Sequence, residues 1–172
     1  MSAFEIMKRA DLLDWHTLLV GLEHGWCKKE NLTEYADDYL RHVTSGVDDD
    51  LLSIVTGDAI SDEELITISR HFVQAHGAPL SQKKEEESIE KWRFSHLCSL
   101  LESNKTDQIK IDEIQELYSQ FGFPEDMATC SIYNGVGIDP IVAAKFTVQN
   151  LEKKFTRFKD VKKSGNGVLI GM

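Results

Sequence analysis

The stretch from Glu85 to Leu101 constrains the fold more than any other, because its apolar residues leave only a narrow strip for water. At 100° per residue, Ile89, Trp92, Phe94, Leu97, Cys98, Leu100 and Leu101 spread over roughly 240° of a helical wheel, far wider than the stripe of a surface helix. Such a helix is stable only when others wrap it, so the pattern predicts the hub of an all-α core. Glu85, Glu86 and Glu87 suit the positive end of the helix dipole, and Asn104 follows the last apolar residue as a left-handed stop.

The segments on either side repeat helical signals. Asp11 or Asp14 caps a helix with Trp15, Leu18, Leu19 and Leu22 on one face, closed by Gly25. Asn31 and Glu34 have capping-box spacing and open a helix carrying Leu32, Tyr35, Ala36, Tyr39, Leu40 and Val43. A short helix is expected over Asp49 to Val55, with Asp48 to Asp50 at its start. Ser61 and Glu64 repeat the capping box ahead of Leu65, Ile66, Ser69, Phe72 and Val73, to about Ala75. Beyond the hub, Asp112 caps a helix with Ile114, Leu117, Tyr118 and Phe121, and Pro124 starts a brief helix near Met127 to Cys130. Asn134-Gly135-Val136-Gly137 reads as a turn, and Asp139-Pro140 opens the most regular helix of the chain. There Ile141, Val148 and Phe155 repeat every seven residues, as do Ala144, Leu151 and Phe158, the seam of a helix pair within a bundle.

No sustained period-2 alternation demands a sheet, although Thr129 to Tyr133 or Val168 to Ile170 could form a small strand. The expectation is therefore an all-α, single-domain bundle of about six to eight helices over residues 1–158, with 159–172 a basic, glycine-containing, loosely held tail. At 172 residues the chain can bury one sizeable core. No run approaches the roughly 18 apolar residues of a membrane span, and Met1 to Lys8 lack the apolar block of a signal peptide, so a cytoplasmic protein without membrane contact is expected. A monomer is expected too.

Charge is unevenly spread. Residues 1–90 hold 19 acids against 8 bases, whereas residues 91–172 hold 10 acids against 11 bases. Between Asp37 and Glu64 nine acids face the single base Arg41. Such a field disfavours nucleic acid and anionic lipid and favours a basic protein partner, though it would equally serve as a solvated face. The candidate contacts are Asp48, Asp49, Asp50, Asp62, Glu63 and Glu64.

Motifs for catalysis or metal binding are weak. The three cysteines (Cys27, Cys98, Cys130) are widely spaced and suit neither a disulfide framework nor paired metal ligands. The six histidines form no zinc-type spacing, and no nucleophile elbow, phosphate loop or dinucleotide fingerprint occurs. Glu102 to Glu113 partly fits a twelve-residue calcium loop, but it starts with Glu and puts Asp107 where the sharp turn needs glycine. No catalytic residue, metal or cofactor is assigned.

Two blocks resemble a family of small bacterial proteins catalogued as a domain of unknown function. Asp14 to Trp26 resembles that family's opening helix ending in GLxxGW. Lys91-Trp92, followed by Leu117 to Asp126 (LYSQFGFPED), resembles its IYxDFxYPEE segment, with Gln120 in place of an acid and Gly122 in place of a polar residue. The likeness covers most of residues 10–135. It implies an immunity-like protein encoded beside polymorphic or contact-dependent growth-inhibition toxins, acting by binding a basic toxin domain, a nuclease by expectation. A non-catalytic helical scaffold or regulator and a degenerate EF-hand-like calcium binder are the alternatives.

Overall fold

The computed structural model describes residues 1–44, 46–56, 60–77 and 79–165, with side chains described as far as Thr156. Over these residues the chain is all-α. The order is α1 (Ala3–Arg9), α2 (Trp15–Glu23), α3 (Lys29–His42), α4 (Asp49–Val55), α5 (Asp62–His76), α6 (Gln82–Leu101), α7 (Asp107–Gln120), a 3₁₀ helix (Glu125–Cys130) and α8 (Pro140–Gly165). Backbone contacts sort it into an N-terminal unit, Phe4–Trp92, and a C-terminal unit made of Met1–Ala3 and the chain from Arg93 onward. The boundary falls inside α6.

In the N-terminal unit, α2 begins where the Asp14 carboxylate accepts from Thr17 N at 2.7 Å. It ends as Gly25 turns left-handed at φ 71°, and Trp26 N and Cys27 N both donate to Gly21 O, at 2.7 and 2.9 Å. Trp92 on α6 is fully buried, and its indole Nε1 donates to Thr17 O at 2.7 Å. The indole lies directly on Gly21: a Cβ built there would sit 2.5 Å from Trp92 Cε2 and 2.7 Å from Nε1. The glycine is there for a close approach, which no side chain allows. One residue before Trp92, Lys91 is buried with its ammonium 2.6 Å from Asp14 Oδ2, 3.3 Å from Thr17 Oγ1 and 3.4 Å from Glu87 Oε1. Thus Asp14 caps α2 and neutralises α6 at once.

The C-terminal unit closes on Leu97, Leu100, Ile114, Met127, Cys130, Ala143 and Ala144, with Leu117, Ile141 and Val148 packed around them. The buried guanidinium of Arg93 is held by Asp126 at 2.6 Å. Gln115 on α7 donates to Cys130 O at 2.9 Å and accepts from Ile132 N at 3.1 Å, which fixes the 3₁₀ helix. Asn134 knits the following loop: its Nδ2 donates to Thr129 O and Ile138 O, both at 3.0 Å, while its Oδ1 accepts from Val136 N and Gly137 N at 2.9 and 3.0 Å. Asp139 then caps α8 by accepting from Ile141 N at 2.8 Å. Along α8 the expected seam holds in Ala144, Leu151 and Phe155, and Ala143 and Thr147 join it. The side chain of Phe158 lies outside the described residues.

Five expectations change. α1 was absent from the pattern, yet it buries Phe4, Ile6 and Met7 in seven residues, too few to display a helical period. α3 starts earlier than the capping-box spacing suggested, because Asn31 is its third residue and accepts from Lys28 N at 3.2 Å, leaving Glu34 to pair with Lys8. α7 likewise starts at Asp107 rather than after Asp112. Thr129 and Cys130 belong to the 3₁₀ helix rather than to a strand, and α8 continues past 158 to Gly165. The suggested strand at Val168 to Ile170 lies outside the described residues.

Candidate partner-binding surface

Six acids were singled out as one patch, and the structure divides them. Asp48 caps α4 by accepting from Asp50 N at 2.7 Å, and its other oxygen meets His76 Nε2 at 2.6 Å. Asp50 pairs with His71 Nδ1. Both histidines belong to the last turns of α5, whose first turn holds Asp62, Glu63 and Glu64. At 1.5 Å per residue, His71 and His76 lie about 13 and 21 Å along α5 from Asp62, so the two acidic groups sit toward opposite ends of the helix. Glu64 is engaged in the capping box, accepting from Ser61 N at 3.1 Å while Ser61 Oγ accepts from Glu64 N at 3.2 Å. The hydrogen bond from His76, reinforced by Asp50 N, holds the Asp48 carboxyl below its ordinary value. Asp49, Asp62 and Glu63 remain as exposed carboxylates with no side-chain hydrogen bond among the described residues.

The wider field is more telling than the six residues. Nineteen carboxylates against nine lysines and arginines fall within Phe4–Trp92, while the C-terminal unit balances at ten against ten. The entire net charge of −10 therefore belongs to the N-terminal unit. Exposed apolar residues flank its charges, with Val47 at 49% and Leu52 at 43% on either side of Asp49, and Tyr39 at 40% on α3.

A second surface of this unit is a cleft of about 370 Å³ between α1 and α3. Phe4, Tyr35 and Tyr39 supply its aromatic walls, with Asp11, Asp38 and Lys8 at the same cleft. Trp15 stands edge-on to Tyr35 and Tyr39, at 5.0 and 5.3 Å between ring centroids, and thereby fixes both rings. The sequence placed Tyr35 and Tyr39 on one apolar face. It could not show that α1 leaves part of that face open.

The stretch Glu102 to Glu113 is not a twelve-residue loop between helices. Residues from Asp107 on are helical, so only five residues separate α6 from α7, and Glu113 is bound by Lys105 Nζ at 2.5 and 2.7 Å. Among the described residues no group of three or more His, Cys, Asp or Glu could hold a metal ion. All three cysteines are buried free thiols. Burial, helped by Glu30, pushes the Cys27 thiol up to about 12, and burial also raises that of Cys130. Neither supplies a thiolate at neutral pH. Among the described residues no helix is long and apolar enough to cross a membrane.

Residues 4–158 match the family described as an uncharacterized protein conserved in bacteria (DUF2247). The chain belongs to this family. The match spans both units, including α1, which the residue pattern alone had left out. No curated protein and no solved structure matches the chain. Within the family segment, the residues that carried the resemblance have structural duties: Gly21 admits the Trp92 indole, Gly25 reverses the chain, and Gly122 and Phe123 turn left-handed at φ 72° and 57° after α7. In the N-terminal unit Lys91 is a buried charge held by Asp14, and in the C-terminal unit Asp126 holds the buried Arg93.

Proposed function

We propose that the chain is an immunity protein, which binds and neutralises a cognate basic toxin domain of a contact-dependent growth-inhibition or polymorphic toxin system, a nuclease in the simplest case. One observation carries the reading: the whole net charge of −10 resides in the N-terminal unit. A concentrated negative field speeds encounter with a basic protein and selects against anionic partners, while apolar contacts slow release. Asp49, Asp62 and Glu63 are the exposed charges, and Val47 and Leu52 the apolar neighbours. Asp48 and Asp50 serve better as the hinge of α4 on α5 than as contacts.

The test uses the purified chain and the toxin domain encoded beside it. Replacing Asp49, Asp62 and Glu63 with Asn, Asn and Gln should leave circular dichroism unchanged, slow association about tenfold at low salt and flatten its salt dependence. Unchanged on-rate and salt slope would place the interface elsewhere.

A second reading, a non-catalytic helical scaffold or regulator, is favoured by the C-terminal unit. There Tyr133 is 88% exposed, and Val142 and Phe146 project from the outer side of α8 at 44% and 61%. Exposed aromatic residues of this kind suit protein contacts. A scaffold would lose partner binding in Phe146→Ser, whereas toxin neutralisation through the N-terminal unit would not change.

A further inference from the structure

We propose that the cleft between α1 and α3 receives an arginine or lysine side chain of the basic protein partner. The inference deepens the immunity reading and rests on it only for the identity of the protein that carries the side chain. The cleft itself supplies the chemistry. Its volume, about 370 Å³, lies in the range of sites that enclose small ligands and exceeds what a guanidinium with its methylene stem requires. Phe4, Tyr35 and Tyr39 offer aromatic surface to the stem and to the face of a cation, and Trp15 behind the two tyrosines keeps them from rearranging. Asp11 and Asp38 add carboxylates at the same opening.

The wall already binds one cation. Lys8 reaches from α1 to Glu34 at 2.6 Å and to Asp38 at 3.4 Å, and the hydrogen bond to Glu34 raises its pKa. The longer contact leaves Asp38, half exposed, with acceptor capacity for a second cation. His42 lines the same cleft, its Nδ1 engaged with Asp38 O at 2.7 Å. Burial raises the Tyr35 phenol, as do Asp14, Tyr39 and Asp11, so the hydroxyl stays a neutral donor and acceptor within the acidic wall. A neutral or anionic side chain would find the aromatic surface but no counter-charge, and an anion would meet repulsion. The net charge of −10 in this unit gives the long-range attraction, and the cleft gives the place of arrival.

Titration of the intact chain with acetyl-Gly-Arg-Gly-amide, followed by NMR shifts of the Tyr35, Tyr39 and Trp15 rings, tests this. The expected result is saturable binding in the millimolar range, at least about fivefold weaker for the citrulline peptide, which keeps the shape and loses the charge, and absent for the glutamate peptide. Asp38→Asn, an exposed change, and Tyr39→Ala should each weaken binding about fivefold or more, whereas Asp49→Asn on α4 should not. No saturable shift in the wild-type chain, or equal binding of the citrulline peptide, overturns the proposal. Arginine binding without any capture of the adjacent toxin would sink the immunity reading and leave the cleft standing. Toxin binding indifferent to Asp38→Asn and Tyr39→Ala would do the reverse.

Discussion

Gly21→Ala sets two physical effects against each other, and the structure says which wins. On propensity alone the change should stabilise α2 by about 1 kcal/mol, since glycine is the poorer helix former. The new methyl, however, would stand 2.5 Å from Trp92 Cε2 and 2.7 Å from Nε1, against the roughly 3.5–4.0 Å of an unstrained carbon contact. The neighbour cannot yield cheaply. Trp92 is fully buried, and moving its ring breaks the 2.7 Å hydrogen bond to Thr17 O. Overpacking of this kind costs about 1–3 kcal/mol, and a buried indole N–H left without its acceptor about 1–3 more. After subtracting the propensity gain, the expected net loss is about 1–5 kcal/mol, a fall in Tm of about 2–20 °C for a chain of this size. Thermal unfolding followed by circular dichroism measures it, with urea titration as a check. Adding Trp92→Phe, which removes the clashing part of the ring, should recover part of the loss, so the two changes should be non-additive. A Gly21→Ala variant as stable as the wild type, or more stable, would refute the close-packing argument.

Other consequences can be checked with single changes. Trp92→Ala should cost about 3–5 kcal/mol in chemical denaturation, and a loss under about 1 kcal/mol would show that Trp92 does not anchor the core. Burial raises the Asp14 carboxyl, but the charge and hydrogen bond of Lys91, with the Thr17 N–H, outweigh it and hold the group below its ordinary value of 3.8. A carboxyl depressed on folding stabilises above its unfolded pKa and loses that contribution as pH falls through the folded one. Asp14→Asn should therefore be about 1–2 kcal/mol less stable at pH 7, with the gap to wild type closing below about pH 3, and a gap independent of pH would contradict the pairing. Burial lowers the pKa of His16 and His96, so acidification below about 6.5 should weaken the fold, an effect that His96→Gln would reduce. Asn134→Ala should speed amide hydrogen exchange at Val136 and Gly137 with little change elsewhere, and unchanged protection there would show that backbone alone holds the loop.

Much of the architecture was legible because it is written in local patterns. The cap at Asp14, the box at Ser61 and Glu64, the left-handed Gly25, the Asp139-Pro140 start and the wide apolar spread of α6 each announce themselves within a few residues. What could not be read depends on partners distant in sequence. Nothing near Lys91 and Arg93 in the sequence marks them as buried, yet both are, because their partners Asp14 and Asp126 lie 77 and 33 residues away. Gly21 passed as part of a motif, since only the Trp92 ring gives it a reason. The acids were legible as a charge excess but not as a surface. Their sequence proximity concealed that His71 and His76 take two of them, and that α5 sets Asp62 and Glu63 at its far end. The cleft required α1, a helix too short to show a period.

The proposal that this chain neutralises a basic toxin is tested most directly by growth of a host expressing the C-terminal domain of the product of the neighbouring gene, with and without the chain. Growth should be restored by the wild-type chain, and restoration should weaken when Asp49, Asp62 and Glu63 are neutralised while the fold remains intact. Arrest that is equally deep with and without the chain, at matched expression, would contradict the account.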